Sequence, residues 1–236
     1  MMDKREIERI KIVYNKRKEA IPPERYSLFN IANLFMVQHR EWEIVKMLKR
    51  AGIRTLGDKK ILDVGCGEGR ELINLIRYGA RPENLYGIDL LEERVIGAKN
   101  LHPYINFISG DASILPYSDE YFDIVMQFTV FTSILDKNIK KKIAEEMIRV
   151  LKPDGIILWY DYYVNNPRNP DVKRVSKKDI YDLFPNCEIY LKRITLAPPI
   201  TRLIACRSQL VCYILEKLKI FNTHYIGIIN RKAKKI

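Results

Sequence analysis

Short apolar runs alternate with helical stretches through most of this chain. The first run, Ile61-Leu62-Asp63-Val64, passes directly into Gly65-Cys66-Gly67-Glu68-Gly69. Further runs cover 84–89, 105–108, 122–127, 155–160, 187–196 and 223–230. Runs this short, bounded by glycine, proline and acidic residues, predict strands. Helical spacing holds between them over 71–77, 92–100, 137–151 and 176–184, the last opened by Ser176 with Asp179 three residues on. The alternation predicts an α/β fold, with a mostly parallel sheet covered by helices on both faces. Ligands of such sheets sit outside the carboxyl ends of the strands. Asp63 to Gly69, Asp89, Asp111 and Gln127 all fall there.

The pattern changes outside that core. Ile7, Ile10, Ile12 and Val13 give a weak helical stripe, ended by Pro22-Pro23. A second helix is read from Leu34, Val37, Trp42, Val45 and Leu48, with Gly52 as its stop signal. Towards the other end, 197–222 holds Pro198-Pro199 and an apolar helical stretch from Ile214 to Ile220. The expected organisation is a single domain over 1–236. It comprises a helical cap at 1–52, a cofactor-binding core at 53–196, a helical insert at 197–222, and a last strand with a basic tail at 223–236.

The glycine loop carries the first chemistry. A tight turn there lets backbone approach a ligand, with a helix N-terminus behind it. A dinucleotide fingerprint would place its third glycine at position 70, where this chain has Arg70. Asp63, two residues before the first glycine, suits a cationic ligand better than a pyrophosphate. Asp89 ends the next strand, where a carboxylate can accept both hydroxyls of a ribose.

These residues resemble the signatures of class I S-adenosylmethionine-dependent methyltransferases. Ile61 to Gly69 is similar to the first signature; Asp89, Gly110-Asp111-Ala112 and Arg149-Val150-Leu151-Lys152-Pro153-Asp154-Gly155 are similar to the later ones, in order. The resemblance covers about residues 40–160. It implies a Rossmann-like seven-stranded sheet whose strand seven is antiparallel, and S-adenosyl-L-methionine as the cofactor. On that resemblance Gly65, Gly67 and Gly69 hold the methionine part and Asp63 lies near its amino group. Asp89 holds the ribose, Asp111 reaches the adenine amino group, and Ala112 lies beside the ring. Gln127 lines the cleft near the sulfonium.

The acceptor is less constrained. A hydroxyl acceptor would want a general base, and Asp161 is the candidate, with a cap or salt-bridge partner as its other reading. The charge is segregated: 1–60 carry a balance of +7, 61–136 of −7 and 137–236 of +12, within a total of +12. A basic surface admits nucleic acid, anionic lipid or a phosphorylated substrate. Nucleic acid is not favoured, because the place after strand four reads Gln127-Phe128-Thr129-Val130 rather than the Asn/Asp-Pro-Pro-aromatic motif of amino-methylating DNA and RNA enzymes. RNA methylation stands as an alternative, as does a non-catalytic cofactor-binding module. Tyr160-Asp161-Tyr162, Asn166-Pro167-Arg168-Asn169-Pro170-Asp171-Val172, Thr195-Leu196-Ala197-Pro198-Pro199 and Thr223-His224-Tyr225 resemble segments of small methyltransferases of surface-polysaccharide gene clusters. That resemblance implies a sugar, glycolipid or other small-molecule acceptor.

Three isolated histidines and four cysteines without a CxxC pair suggest no metal site and no disulfide framework. The charged start at Met1-Met2-Asp3-Lys4-Arg5-Glu6 and the interrupted apolar runs predict a cytoplasmic chain, although the apolar insert admits contact with a membrane surface. Nothing in the sequence bears on oligomeric state.

Overall fold

The structure is a computed structural model and describes residues 3–166 and 169–232. Seven strands form one sheet: β1 (Ile61–Val64), β2 (Leu85–Asp89), β3 (Asn106–Ser109), β4 (Phe122–Phe128), β5 (Leu151–Tyr162), β6 (Cys187–Leu196) and β7 (Asn222–Arg231). Their order is β3-β2-β1-β4-β5-β7-β6. Pairings β1 to β5 are parallel, and β7 runs antiparallel to both β5 and β6. The strand order reverses between β1 and β4, which is where an open α/β sheet leaves a crevice for ligand.

Among the described residues eight α-helices surround the sheet: α1 (Lys4–Ala20), α2 (Ile31–Arg50), α3 (Arg70–Arg77), α4 (Glu92–Leu101), α5 (Lys137–Val150), α6 (Lys177–Leu183), α7 (Pro198–Ile204) and α8 (Gln209–Leu218). Side chains of α2, α3 and α4 pack on one face around Ile61, Leu85, Ile124 and Ile226. Side chains of α5 and α6 pack on the other around Phe122, Val125, Ile157 and Trp159. Capping fixes the ends of these helices. Asp136 accepts from the amides of Asn138 and Ile139, and Ser176 with Asp179 forms a capping box.

The outer helices differ from their sequence reading. In α2 the buried residues include Ala32, Phe35, Ile44, Met47 and Leu48, while Trp42 is 53% exposed. The stripe expected from Leu34, Val37, Trp42 and Val45 was therefore rotated. Leu34-Phe35-Met36-Val37 is apolar on every side, so periodicity alone could not select the inward face. In α1, Ile10 and Val13 are buried but Ile12 is exposed. Strand β5 begins at Leu151 rather than 155. The register shifts by a bulge, so that Phe122 pairs with Leu151 and Ile124 with Ile156.

The connection from β6 to β7 opens at the carboxyl end of β6, and α7 and α8 fold back against α2. Ala32 and Phe35 of α2 pack with Leu196, Ala205 and Cys212. Helix α1 crosses the same end of the sheet. Leu135 donates its amide to Glu6 (2.8 Å), Arg9 donates to the Ser133 carbonyl (2.6 Å), and Lys18 lies 3.8 Å from Glu93. Four helices thus stand over the carboxyl ends of the strands. No helix among the described residues is long and apolar enough to cross a membrane.

Candidate active site

The site begins where β1 turns into α3. Gly65, Gly67 and Gly69 take φ values of +75°, +55° and +78°, a region that costs an L-residue roughly 1–2 kcal/mol. A Cβ on Gly69 would lie 2.5 Å from Cζ of Phe107, and one on Gly65 would overlap Val130. The loop is therefore glycine on both conformational and steric grounds. Its outer side at Gly67 is open only as far as Arg94, whose guanidinium would be 3.3 Å from a Cβ there.

Asp63, Asp89 and Asp111 stand at the carboxyl ends of three adjacent strands, and Asp89 bonds directly to this loop. Asp63, next to last in β1, is buried, and its Oδ1 has no hydrogen-bond partner. Burial, with the charges of Glu71 and Asp89 adding, pushes its carboxyl well above the usual range, while Arg40 opposes the shift. Asp89 accepts from the Gly67 amide (2.8 Å) and the Leu91 amide (2.9 Å), so it joins β2 to the glycine loop and to the start of α4. Asp111, beyond β3, accepts from the Ser113 amide (2.8 Å), and Ala112 is half-buried against the core. Gln127 is wholly buried. Its Nε2 donates to the Tyr160 carbonyl (3.4 Å) and its Oε1 accepts from the Val130 amide (3.1 Å), so it shapes the turn after β4.

Arg40 and Glu71, which no sequence pattern marked, complete the inner end. Arg40 reaches down from α2 and pairs with Glu71 of α3. Its guanidinium lies 5.3 Å from the Tyr160 ring centroid and 5.7 Å from that of Phe128. Arg40 Nε, Glu71 Oε2 and Asp63 Oδ1 are all buried without partners. Buried polar atoms rarely stay unpaired. A carboxylate with a spare lone pair near a guanidinium with a spare donor suits a zwitterionic amino-acid end, ammonium towards Asp63 and carboxylate towards Arg40.

A polar aromatic wall adjoins this end. The Tyr160 hydroxyl is 2.9 Å from Thr195 Oγ1, and its ring stacks on His224 at 4.6 Å and 4°. The Tyr162 ring lies 3.7 Å from His224 on the other side. His224 Nδ1 meets Thr223 Oγ1 (2.9 Å), which donates on to the Thr195 carbonyl (3.3 Å). Burial and Arg40 hold the His224 imidazole well below its ordinary pKa, hence neutral. Three of the four stretches singled out in the sequence, at 160–162, 195–199 and 223–225, are thus one wall. In the fourth, Pro167 and Arg168 lie outside the described residues, as do Met1, Met2 and the end of the basic tail from residue 233.

Asp161 sits behind the wall rather than on it. It is fully buried and accepts from the Thr132 hydroxyl (2.7 Å), the Thr132 amide (3.2 Å) and the Tyr162 amide (2.8 Å). Burial pushes its carboxyl up to about 6, against the lowering effect of those bonds. No group of three His, Cys, Asp or Glu placed to hold a metal occurs among the described residues.

Residues 61–155 match the family model described as "Methyltransferase domain". The demethylmenaquinone methyltransferase of Lactobacillus johnsonii is 33% identical over 131 residues, which are 53% of this chain and 51% of that protein. The phthiotriol/phenolphthiotriol dimycocerosates methyltransferase of Mycobacterium tuberculosis is 35% identical over 113 residues, 47% of this chain and 40% of that protein. The matched segments span about half or less of each curated relative's length. Among solved structures, phosphoethanolamine N-methyltransferase 1 of Haemonchus contortus, in complex with phosphoethanolamine and S-adenosylhomocysteine, superposes with a TM-score of 0.65 at 15% identity, covering 100% of this chain and 51% of that one. Residues 61–155 are thus similar to a methyltransferase domain, and the sheet order with its reversed strand seven is a fold shared with that solved structure.

Proposed function

We propose that the chain binds S-adenosylmethionine and transfers its methyl group to a small-molecule or glycan acceptor. The observation that carries the reading is the set of unpartnered buried atoms at the glycine loop. Asp63 Oδ1 and Arg40 Nε are opposite in character, enclosed, and matched to the two ends of an amino acid. Asp89 keeps lone pairs for two ribose hydroxyls beyond the two backbone bonds it accepts, and Asp111 and Ala112, beyond the next strand along, are assigned to the base in this reading. The cofactor supplies a methyl group already activated by its sulfonium. The chain's task is then to align the acceptor and exclude water, and positioning of that kind can lower a barrier by roughly 7–11 kcal/mol.

The wall of Tyr160, Tyr162 and His224 is the natural side for the acceptor, because it meets the methionine end at Arg40. Tyr162 feels the charges of Arg17 from α1 and Arg202 from α7, and Tyr26 lies near it. Arg17 Nη2 is buried without a partner. Two arginines converging on one tyrosine favour an acceptor with an anionic group, since planar guanidinium donors suit phosphate and carboxylate. A sugar phosphate or glycolipid meets that description. The curated relatives are named for acceptors of small-molecule kind, dimycocerosates and demethylmenaquinone, rather than for nucleic acid. Asp161 acts in this reading as a positioning residue that ties β5 to the turn at 129–133. The general-base role expected of it would require that turn to open.

The test is transfer from labelled S-adenosylmethionine to sugar nucleotides, lipid-linked glycans, isoprenoid quinones and RNA in parallel. Transfer to RNA alone would overturn the acceptor class. Failure to bind either the cofactor or its demethylated product would overturn the reading as a whole.

A further inference from the structure

We propose that the outer surface of α7 and α8, with the turn that precedes α2, docks on a lipid bilayer bearing anionic headgroups. The argument starts from α8, which is turned inside out for a surface helix. Its crest of Leu210, Val211, Ile214 and Leu218 faces solvent, with Leu210 68% and Leu218 57% exposed. Its inward face instead carries Cys212 and the acidic Glu216, both buried. Glu216 accepts from the Thr195 amide (3.1 Å) and lies 3.1 Å from His39 Nδ1, so internal polar bonds fix which face looks out. The orientation is held, and an accidental rotation of the helix does not explain the apolar crest.

The crest continues onto neighbouring segments. Ile220 and Phe221 follow it, and Phe221 is tied to the start of α7 by the Ala197 amide (2.9 Å). Phe29, 98% exposed, stands in the turn just before Ala32, which packs against Ala205 and Cys212. Single exposed apolar residues are ordinary on a soluble surface, but a contiguous set on three adjoining segments marks an interaction face.

Charge selects the occupant. Between 198 and 221 the charged residues are Arg202, Arg207, Lys217, Lys219 and Glu216. Glu216 is buried and Arg202 half-buried, whereas Arg207, Lys217 and Lys219 are exposed, so the fully exposed charges of this stretch are all cations. The turn before α2 adds Arg25 and Glu24, both exposed, and so no net charge. Protein interfaces deplete lysine around their apolar centre. An apolar crest rimmed by Lys and Arg is the composition of a helix lying in a membrane interface, where each cation gains from the negative surface potential. The charge of Arg202 also acts on Tyr162, so a bilayer on this surface would lie near the proposed acceptor side. The proposal does not depend on the methyl-transfer reading.

The experiment is co-sedimentation of the full chain with vesicles of phosphatidylcholine alone, or of equal parts phosphatidylcholine and phosphatidylglycerol. Partition onto the anionic vesicles is expected, with release as salt is raised. The Leu210→Ser/Ile214→Ser/Leu218→Ser and the Arg207→Glu/Lys217→Glu/Lys219→Glu variants are each expected to partition about 100-fold more weakly. Circular dichroism and affinity for S-adenosylhomocysteine should stay as in the parent. No partition of the parent onto anionic vesicles at low salt would overturn the proposal, whatever the variants do. Partition that both variants leave unchanged would assign it to another surface and overturn it equally. A dimer abolished by the serine variant, with no vesicle binding, would make the occupant a second copy of the chain.

Discussion

Replacing Asp63 by Asn tests the cofactor site at its most enclosed point. The carboxyl is buried with one oxygen unpartnered, and in the ligand-free chain burial, Glu71 and Asp89 favour its protonated form. An ammonium group entering beside it would be bound by the carboxylate, so binding must expel the proton. Affinity is therefore expected to rise with pH through the raised pKa of Asp63, by at most about tenfold per pH unit, and to level off above it. The same shift makes the ligand-free chain lose stability as pH rises from the ordinary carboxylate range through that raised pKa. The Asn variant keeps the shape and discards the charge. Hydrogen bonds to charged groups contribute about 1.5–3 kcal/mol, so binding of S-adenosylhomocysteine should weaken by roughly 10- to 150-fold at neutral pH. Calorimetry across pH in two buffers of different ionisation enthalpy reads both effects, because proton release appears as a buffer-dependent heat. Equal affinity in the variant, or a pH slope that survives in Asp63→Asn and disappears in Glu71→Gln, would refute the reasoning.

The other predictions rest on separate contacts. Gly69→Ala combines a φ of +78° with a methyl 2.5 Å from Phe107 and should cost at least ~2 kcal/mol in urea melts. Adding Phe107→Leu should recover the steric part only, and a neutral Gly69→Ala would contradict the loop geometry. Asp161→Asn should lower stability at low pH by ~1–3 kcal/mol, because its oxygen can still accept from the Thr132 hydroxyl and the Tyr162 amide but its NH2 would face the Thr132 amide, which needs an acceptor. With a folded pKa of about 6 against an ordinary 3.8, the parent gains stability from Asp161 below that window and loses ~3 kcal/mol as pH rises through it. The gap between parent and variant should therefore narrow or reverse from pH 4 to 7, and a pH-independent gap would count against the assignment. Chelating agents should leave methyl transfer unchanged; activity restored by a divalent ion would show that a metal takes part.

The parts of the site that were legible in the sequence are those made by consecutive residues. A strand, three glycines and a helix start lie within ten positions, and Asp89 and Asp111 each end a run that periodicity identifies. Nothing comparable marks Arg40. It lies 23 positions before Asp63, on a helix whose apolar residues surround it, and it enters the site only because Ile44, Met47 and Leu48 dock α2 on the sheet. Glu71 stood inside the matched segment, yet its partner was needed to show its task. Asp161 illustrates the opposite difficulty. In the sequence it stands just past the apolar run at 155–160, a place that suggested catalysis, but it lies within β5, and the short turn at Phe131–Ser133 needs a buried acceptor for its backbone, a need visible only in three dimensions.

The segregation of charge along the chain acquires a spatial meaning from this arrangement. The middle segment, with its balance of −7, contributes the strand ends that carry Asp63, Asp89 and Asp111. A cationic cofactor would meet those carboxylates first. The basic flanks contribute the four helices that stand over the same ends, and with them Arg17, Arg40 and Arg202. One chain thereby presents a negative floor and a positive roof across a single cleft. A floor of that sign favours a sulfonium over its neutral product, which eases product release after transfer. On the proposed function, a roof of the opposite sign would draw an anionic acceptor to the side away from the carboxylates. The two ligands are then sorted by charge before any contact specific to either is made. The same roof carries the apolar crest of α8 outward, so the surface that would meet an anionic bilayer is continuous with the wall that would receive the acceptor.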